Sequence, residues 1–244
     1  MKIVKFSKKN TDIITIKKNF FFSNKKNLEE RVRINKLYIK QPKRKMCKNC
    51  NLKLGKTVFK SFGVSYAICK RCYHLNGMQL ETKKFLNNLY SENKGKNYYK
   101  NYSNQFNQRV KNIYVPKVNF LKQVINEKIN LLDIGSGAGH FLKACEIKNI
   151  KAIGFEPSKL MTKIAESKLT KNKIINISLD EIHAKIASSK ENVLALIGVL
   201  EHLEQPTRLL ESFKKSKIKY LYLSLPLFSL SSLIENSFPK VFPR

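Results

Sequence analysis

A Rossmann-like α/β fold with a mostly parallel sheet, preceded by a small four-cysteine module, is the architecture this sequence predicts. Three observations carry that expectation. Short apolar runs alternate with helix-like stretches between residues 126 and 225, the pattern of strands joined by crossover helices. Residues 131–140 read Leu-Leu-Asp-Ile-Gly-Ser-Gly-Ala-Gly-His, an apolar strand end followed by a glycine turn and the start of a helix. Two Cys-x-x-Cys pairs, Cys47/Cys50 and Cys69/Cys72, stand 18 residues apart in the first third of the chain, a separation found in four-cysteine metal sites.

In chain order, the sequence divides into a basic segment over 1–30, a cysteine module over 31–85, a Tyr-rich helical linker over 86–125 and an α/β core over 126–244. Each Cys-x-x-Cys is expected to form a knuckle that presents two thiolates to one side, and two knuckles complete a tetrahedron. Zinc is the metal these ligands predict. Four protein ligands leave no open position, so its role would be structural rather than catalytic, and on the order of 10 kcal/mol of binding free energy would go into folding the module. Two disulfides or a redox pair are the competing readings. The basic N-terminus is not followed by the apolar stretch of a secretory signal, which predicts a cytoplasmic chain with reduced thiols and favours metal. His74 is close enough to be an alternative ligand, though four cysteines make it unnecessary.

Within the core, strands are expected near 130–134, 151–155, 173–178, 193–200 and 220–225. Phe141-Leu142-Lys143 begin the helix after the glycine turn. Pro157 fits the first position of a helix running to about Lys168, with Ser158 beside it. Asp180 and Glu181 follow the third strand. Val193 to Leu200 is an unbroken apolar run without helical period, as in a strand buried on both faces. Pro206 opens a further helix, and Ser229 to Ser237 has the length for one more.

The glycine turn carries the chemistry. Gly135, Gly137 and Gly139 let the backbone turn tightly and approach a ligand where a side chain would collide. Glu156 follows Gly139 by 17 positions, at the end of the run Ala152-Ile153-Gly154-Phe155. There it could accept hydrogen bonds from both hydroxyls of a ribose, which implies an adenosine-type cofactor. Dinucleotide folds space their glycines G-x-G-x-x-G around a pyrophosphate. Here the spacing is D-x-G-x-G-x-G, with Asp133 two residues before the first glycine. A carboxylate at that point repels a pyrophosphate and suits a ligand carrying an ammonium and a sulfonium.

Leu131 to Gly139, with Glu156-Pro157-Ser158, resembles the first two motifs of class I S-adenosylmethionine-dependent methyltransferases. The resemblance implies that Gly135, Ser136, Gly137 and Gly139 line the methionine part of S-adenosylmethionine and that Glu156 holds the ribose. It also implies that an acid near Asp180 meets the adenine amino group, although Asp180 or Glu181 could simply favour the N-terminus of the next helix. The fourth strand runs into Gly198-Val199-Leu200-Glu201-His202-Leu203, similar to a segment of methyltransferases that act on sugars, quinones and other small molecules. Ligands of open α/β sheets lie beyond the carboxyl ends of the strands, which sets Glu201 and His202 near the reacting methyl group. His202 is the expected general base, with Glu201 orienting it or binding substrate. The competing reading is that His202 only caps a loop. His140 could touch the cofactor carboxylate or face solvent, and Cys145 reads as a small core residue. A zinc module, a Tyr-rich segment (Tyr90, Tyr98, Tyr99, Tyr102) and this core in one chain resemble zinc-module sugar C-methyltransferases and surface-polysaccharide methyltransferases. By that resemblance Tyr99 and Tyr102 cover the active site and the substrate is a small, sugar-type molecule.

Charge and length qualify the picture. The formal net charge is +31. Residues 1–100 hold 26 Lys and Arg against 5 Asp and Glu, and residues 101–244 hold 22 against 12. Such a field attracts polyanions and raises an alternative, an rRNA or tRNA methyltransferase with a basic zinc module. Attraction to anionic small molecules or to a membrane surface is a further reading. Compositional drift is another, since the chain has 24 Asn and only 8 Ala. Against amine methylation of nucleic-acid bases, no Asn/Asp-Pro-Pro-Tyr/Phe tetrad occurs at the fourth strand, and against methylation of pyrimidine carbon 5, no Pro-Cys pair supplies a nucleophile. No stretch reaches the ~20 apolar residues of a membrane span. The resembled family has seven strands, of which about five are present before the sequence stops twenty residues beyond the fifth. The expectation is an incomplete core, with a partner chain completing the sheet edge, or a non-catalytic remnant.

Overall fold

The computed structural model describes residues 20–90 and 105–225. They fall into two units, one around the cysteines within Lys18–Lys94 and one around a parallel sheet within Gly95–His202 and Arg208–Leu225. Tyr98, Tyr99, Tyr102 and the helix expected over residues 229–237 lie outside the described residues.

The cysteine unit opens with helix α1 (Phe20–Tyr38) and contains an antiparallel sheet of β1 (Phe59–Ser61), β2 (Val64–Ile68) and β3 (Leu75–Gly77), followed by α2 (Lys83–Tyr90). Phe62 and Gly63 join β1 to β2, both at positive φ, the geometry that matches a two-residue turn to strand twist. Tyr38, at the end of α1, donates its hydroxyl to the Gln79 carbonyl at 2.7 Å and packs its ring 5.7 Å from Phe85. Arg44 is buried, donates from Nε to the Gly77 carbonyl at 3.1 Å and pairs with Glu81, which Lys48 approaches at 3.6 Å. Glu81 is therefore the shared counter-charge for two cations that would be costly to leave unpaired in a half-buried setting.

The sheet unit begins with one continuous helical rod in three parts: α3 (Phe106–Arg109), a π turn (Val110–Tyr114) and α4 (Val115–Val124). Five parallel strands follow: β4 (Asn130–Ile134), β5 (Lys151–Glu156), β6 (Lys173–Asn176), β7 (Val193–Ile197) and β8 (Tyr220–Ser224). Between them run α5 (His140–Ile147), α6 (Lys159–Glu166), α7 (Leu179–Ala187) and α8 (Pro206–Lys215). The strand order is β6-β5-β4-β7-β8. From β4 the chain winds outward through β5 and β6, then returns to the other side of β4 at β7. The order reverses between β4 and β7, and in open α/β sheets the crevice beyond the carboxyl ends of the strands at such a reversal is where ligands bind. Leu131, Leu132, Leu194 and Leu196 are fully buried in these two central strands, each contributing about 2 kcal/mol by removal from water.

Polar side chains fix the helices over the sheet. Glu146, near the end of α5, accepts backbone N–H bonds from Thr170, Lys171 and Asn172 at 2.6–2.8 Å and an ion pair from Lys143 at 2.7 Å. Against the cost of burial, these donors hold its carboxyl down to about 2. Asn172 completes the staple by accepting from Ala152 N–H and donating to the Leu142 and Ile150 carbonyls.

Three boundaries differ from the sequence reading. β6 stops at Asn176, because Ser178 and Glu181 form a capping box that starts α7: Glu181 accepts from the Ser178 backbone N–H at 3.1 Å and hydroxyl at 2.6 Å. β7 stops at Ile197, because Gly198 turns to φ 65° and Leu200–His202 forms a short 3₁₀ turn. Pro157 precedes α6 rather than opening it, because Ser158 is the cap, its hydroxyl accepting from Met161 N–H at 3.4 Å. No described helix is long and apolar enough to cross a membrane.

Candidate cofactor site and metal centre

The loop after β4 sits at the crevice. Gly135, Gly137 and Gly139 take φ of 67°, 54° and 79°, values that side chains rarely tolerate. A Cβ on Gly139 would lie 2.8 Å from the Ala165 Cβ, so this glycine lets α5 and α6 close on each other. A Cβ on Gly137 would meet nothing within 4 Å, so the middle of the loop faces open space. Gly135 and Ser136 both donate backbone N–H to the Phe155 carbonyl, at 2.8 and 3.3 Å, which ties the loop to β5. The Ser136 hydroxyl turns inward and donates to the Asp133 carbonyl at 2.9 Å.

Glu156 ends β5, and its carboxylate joins two segments. Gly137 N–H donates to Oε2 at 2.8 Å and Ser158 N–H donates to Oε1 at 2.9 Å. Burial raises its pKa, and the two backbone donors oppose that shift. Each oxygen keeps a second lone pair for another donor. Pro157, beside it, is exposed. Asp180 is exposed in the first turn of α7, while the Glu181 carboxylate is taken by the cap.

Asp133 is 2 % exposed at the end of β4. Burial pushes its carboxyl up to about 8, with the Glu156 charge adding and Ser136 opposing. The folded protein therefore holds it protonated at neutral pH, while the unfolded chain ionises it near pH 4. Since the native state then binds the extra proton, this group lowers stability progressively from about pH 4 to about pH 8 and fully above that. Asp133→Asn is expected to melt several degrees above the wild type at pH 8.5, with the difference closing toward pH 4. Melting curves across that range check it, and a constant difference would be the contrary result.

The turn after β7 brings Glu201 and His202 to the same end of the sheet. His202 Nε2 lies 4.0 Å from Glu201 Oε1, with side-chain exposures of 57 % and 26 %. That separation exceeds hydrogen-bonding distance. Gly198 is called for by its φ of 65°, since a Cβ there would make only an ordinary 3.7 Å contact with Glu201 Oε1.

His140, the first residue of α5 after the glycine loop, does not face solvent. It is 2 % exposed and stacked between Phe106 at 4.4 Å and Tyr114 at 5.3 Å. Sequence reasoning missed this stack because its members are 26 and 34 residues apart and the π turn between the two aromatics has no sequence signature. Cys145 is a fully buried core thiol, its pKa pushed well up by burial. His183, given no role from sequence, shares a 3.0 Å hydrogen bond with the Ser212 hydroxyl.

In the cysteine unit, the Sγ atoms of Cys47, Cys50, Cys69 and Cys72 all lie within 4.8 Å of one another. Cys47–Cys72 and Cys50–Cys69 are 3.6 and 3.4 Å apart, close to the ~3.8 Å edge of a tetrahedron with 2.3 Å metal–sulfur bonds. The two knuckles repeat one pattern. Cys47 N–H donates to the Leu52 carbonyl and Asn51 N–H to the Cys47 carbonyl. Cys69 N–H donates to the His74 carbonyl and Tyr73 N–H to the Cys69 carbonyl. Asn51 and Tyr73, four residues after each first cysteine, both take positive φ. Asn76 is buried and points its amide at Cys47 Sγ (3.5 Å), held by Lys48 N–H and the His74 carbonyl. Sequence reasoning did not find Asn76, since no spacing rule singles it out. His74 enters the centre through its backbone, and the four-sulfur cluster does not include its ring.

A family model described as a methyltransferase domain matches residues 106–238. Among solved structures, the chain is similar to a SAM-dependent methyltransferase from Archaeoglobus fulgidus, at 25 % identity and TM-score 0.45, over 59 % of this chain and 66 % of that one. It is also similar to the plantazolicin methyltransferase BpumL in complex with SAH, at 18 % identity and TM-score 0.42, over 57 % and 52 %. A third is the bifunctional kinase-methyltransferase WbdD, at 15 % identity and TM-score 0.41, over 54 % and 31 %. The chain thus spans less than two thirds of the length of each. No curated protein matches it. The family match covers more than half of the chain, including the whole parallel sheet and the glycine loop, and the protein belongs to the methyltransferase-domain family.

Proposed function

We propose that this protein transfers a methyl group from S-adenosylmethionine to a small molecule, a sugar or surface-polysaccharide precursor. The observation that carries the reading is the Gly137–Glu156 pair: a glycine facing open space, hydrogen-bonded to a buried carboxylate at the crevice of a parallel sheet. In this reading Gly135, Ser136, Gly137 and Gly139 shape the methionine pocket and Glu156 accepts the ribose hydroxyls. Pro157 and Asp180 flank the adenine end. Asp133 lies behind the loop, where ionisation would favour the cofactor's positive charge, so affinity rises as pH passes through about 8. The sugar-type acceptor rests on the sequence resemblance and on the Glu201-His202 pair.

Methyl transfer from a sulfonium is an in-line displacement, and the protein's part is to align the reactants and remove a proton from the acceptor. His202 is exposed enough to reach an incoming acceptor and serves as the base. Glu201 binds the acceptor, because at 4.0 Å it does not hold the imidazole directly. His202→Ala is expected to lower kcat about 100-fold with cofactor affinity unchanged. Transfer of labelled methyl groups to sugar nucleotides, alongside calorimetry with S-adenosylmethionine, tests both parts. Unchanged turnover in the variant would remove His202 from the chemistry, and absence of cofactor binding by folded protein would overturn the reading itself.

The four cysteines fit zinc by donor type and spacing, and Cys47, Cys50, Cys69 and Cys72 would hold it as a closed, structural centre. Against the cost of burial, hydrogen bonds from the His74 backbone and Asn49 draw the Cys72 thiol down, while the neighbouring thiols push Cys50 up, as closely packed thiols sharing protons do. In this reading residues 31–85 lie within the module and 126–244 form the methyltransferase core, which the helical rod from Phe106 to Val124 joins.

A further inference from the structure

Residues 31–80 contain 13 Lys and Arg and not one Asp or Glu. Compositional drift does not account for this, because residues 105–225 of the same chain keep 11 acids beside their 20 Lys and Arg. The stretch between Glu30 and Glu81, which carries both knuckles, therefore has only basic charged residues. Of its cations, Arg44 and Lys48 are engaged with Glu81, while Lys45, Lys53, Lys70 and Arg71 are exposed. These four sit on or beside the two knuckles, which meet at the four sulfurs.

Tyr73 supplies a second, independent observation. It is 80 % exposed, the most exposed large hydrophobic residue among those described, and its φ is 55°. The matching position of the first knuckle is Asn51, at φ 59°, a residue type that tolerates this conformation. An aromatic side chain there is strained and gains almost nothing from burial. The knuckle needs the left-handed backbone, as Asn51 shows, but it does not need an exposed aromatic ring at that position, and a costly residue choice of this kind points to function. Lys70 and Arg71 lie three and two residues before it in the same knuckle, and both are exposed.

We propose that the knuckle end of the cysteine unit is a docking surface for single-stranded nucleic acid, with Tyr73 as the stacking platform for a base and Lys70 and Arg71 as phosphate contacts. An exposed ring beside cations combines the two elements that sequence-tolerant strand binders use, stacking and backbone charge. Charge alone would serve an anionic glycan or lipid surface equally well; the strained ring is what favours bases. The inference does not depend on which acceptor the sheet unit methylates.

The test uses the full, zinc-loaded chain and a fluorescent 20-nucleotide single-stranded RNA, with heparin and phosphatidylserine vesicles as competing polyanions. Tyr73→Asn is expected to weaken RNA binding at least fivefold while raising the thermal stability of the protein, and Tyr73→Phe to retain binding. Lys70→Ala with Arg71→Ala should reduce the slope of log affinity against log salt by about 1.4, as for two lost single-strand phosphate contacts. Tyr73→Asn should leave that slope unchanged. Removing two exposed charges from the sheet unit, Lys214→Ala with Lys215→Ala, should have little effect. The proposal is overturned if Tyr73→Asn does not weaken RNA binding, if it weakens heparin binding equally, or if the Lys214/Lys215 pair matters as much as Lys70/Arg71. Binding to vesicles without binding to RNA would also overturn it, in favour of a membrane surface.

Discussion

Glu156→Gln is expected to weaken S-adenosylmethionine binding about 100-fold. The carboxylate holds two backbone donors at once, Gly137 N–H at 2.8 Å and Ser158 N–H at 2.9 Å. A glutamine oxygen can serve only one of them. The amide nitrogen turns donor against donor at the other, leaving a half-buried N–H without an acceptor at a cost of about 1–3 kcal/mol. The lost charge also weakens the bonds expected from a ribose, since charged acceptors are roughly twice as strong as neutral ones. Together these reach about 3 kcal/mol, or two decades in affinity. Calorimetric titration with cofactor measures it, and an unchanged Kd in a folded variant would remove Glu156 from the ribose site.

The second large effect belongs to the metal centre. Cys69→Ser, or a strong chelator applied to the wild type, is expected to unfold the cysteine unit and leave the parallel sheet intact. Cys69 is 1 % exposed, and its Sγ lies 3.4 Å from that of Cys50. The unit's sheet has only three short strands, too little core for a module of this size without a staple. Loss of a structural metal removes on the order of 10 kcal/mol, more than such a module holds in reserve. Metal analysis should give one zinc per chain in the wild type and a reduced content in the variant. Amide exchange protection over residues 44–81 should disappear while protection in β4 and β7 remains. Undiminished protection after chelation would rule out a structural metal.

The parts of this fold that were legible in sequence are those where one physical requirement dominates. All five core strands are where their apolar runs stand: the central β4 and β7 are buried almost throughout, and the edge strands β6 and β8 keep short apolar runs although they are only partly covered. The glycine loop and Glu156 were readable because backbone turns and close approaches admit few residue types. The four cysteines converge because metal spacing is a short-range rule. The boundaries that shifted were decided by local hydrogen-bond competition. Ser178 and Ser158 took up capping and ended the neighbouring strand or displaced Pro157 from the helix. Missed altogether were Asn76, Glu146 and the ring stack around His140, whose partners come from distant segments and are chosen by packing rather than by pattern.

The π turn at Val110–Tyr114 sets a phase. In an unbroken α-helix, residues eight apart point about 80° away from each other, so Phe106 and Tyr114 could not both face one imidazole. Slower winding through the π turn brings the two rings round to either side of His140. The turn therefore acts as a rotational index between the helix and the glycine loop that His140 follows. Deleting one residue within it would leave the helix nearly as long and just as apolar, yet would rotate Phe106 off the stack. Length is conserved in such a change and angle is not, and angle is what this helix contributes to the loop beside it.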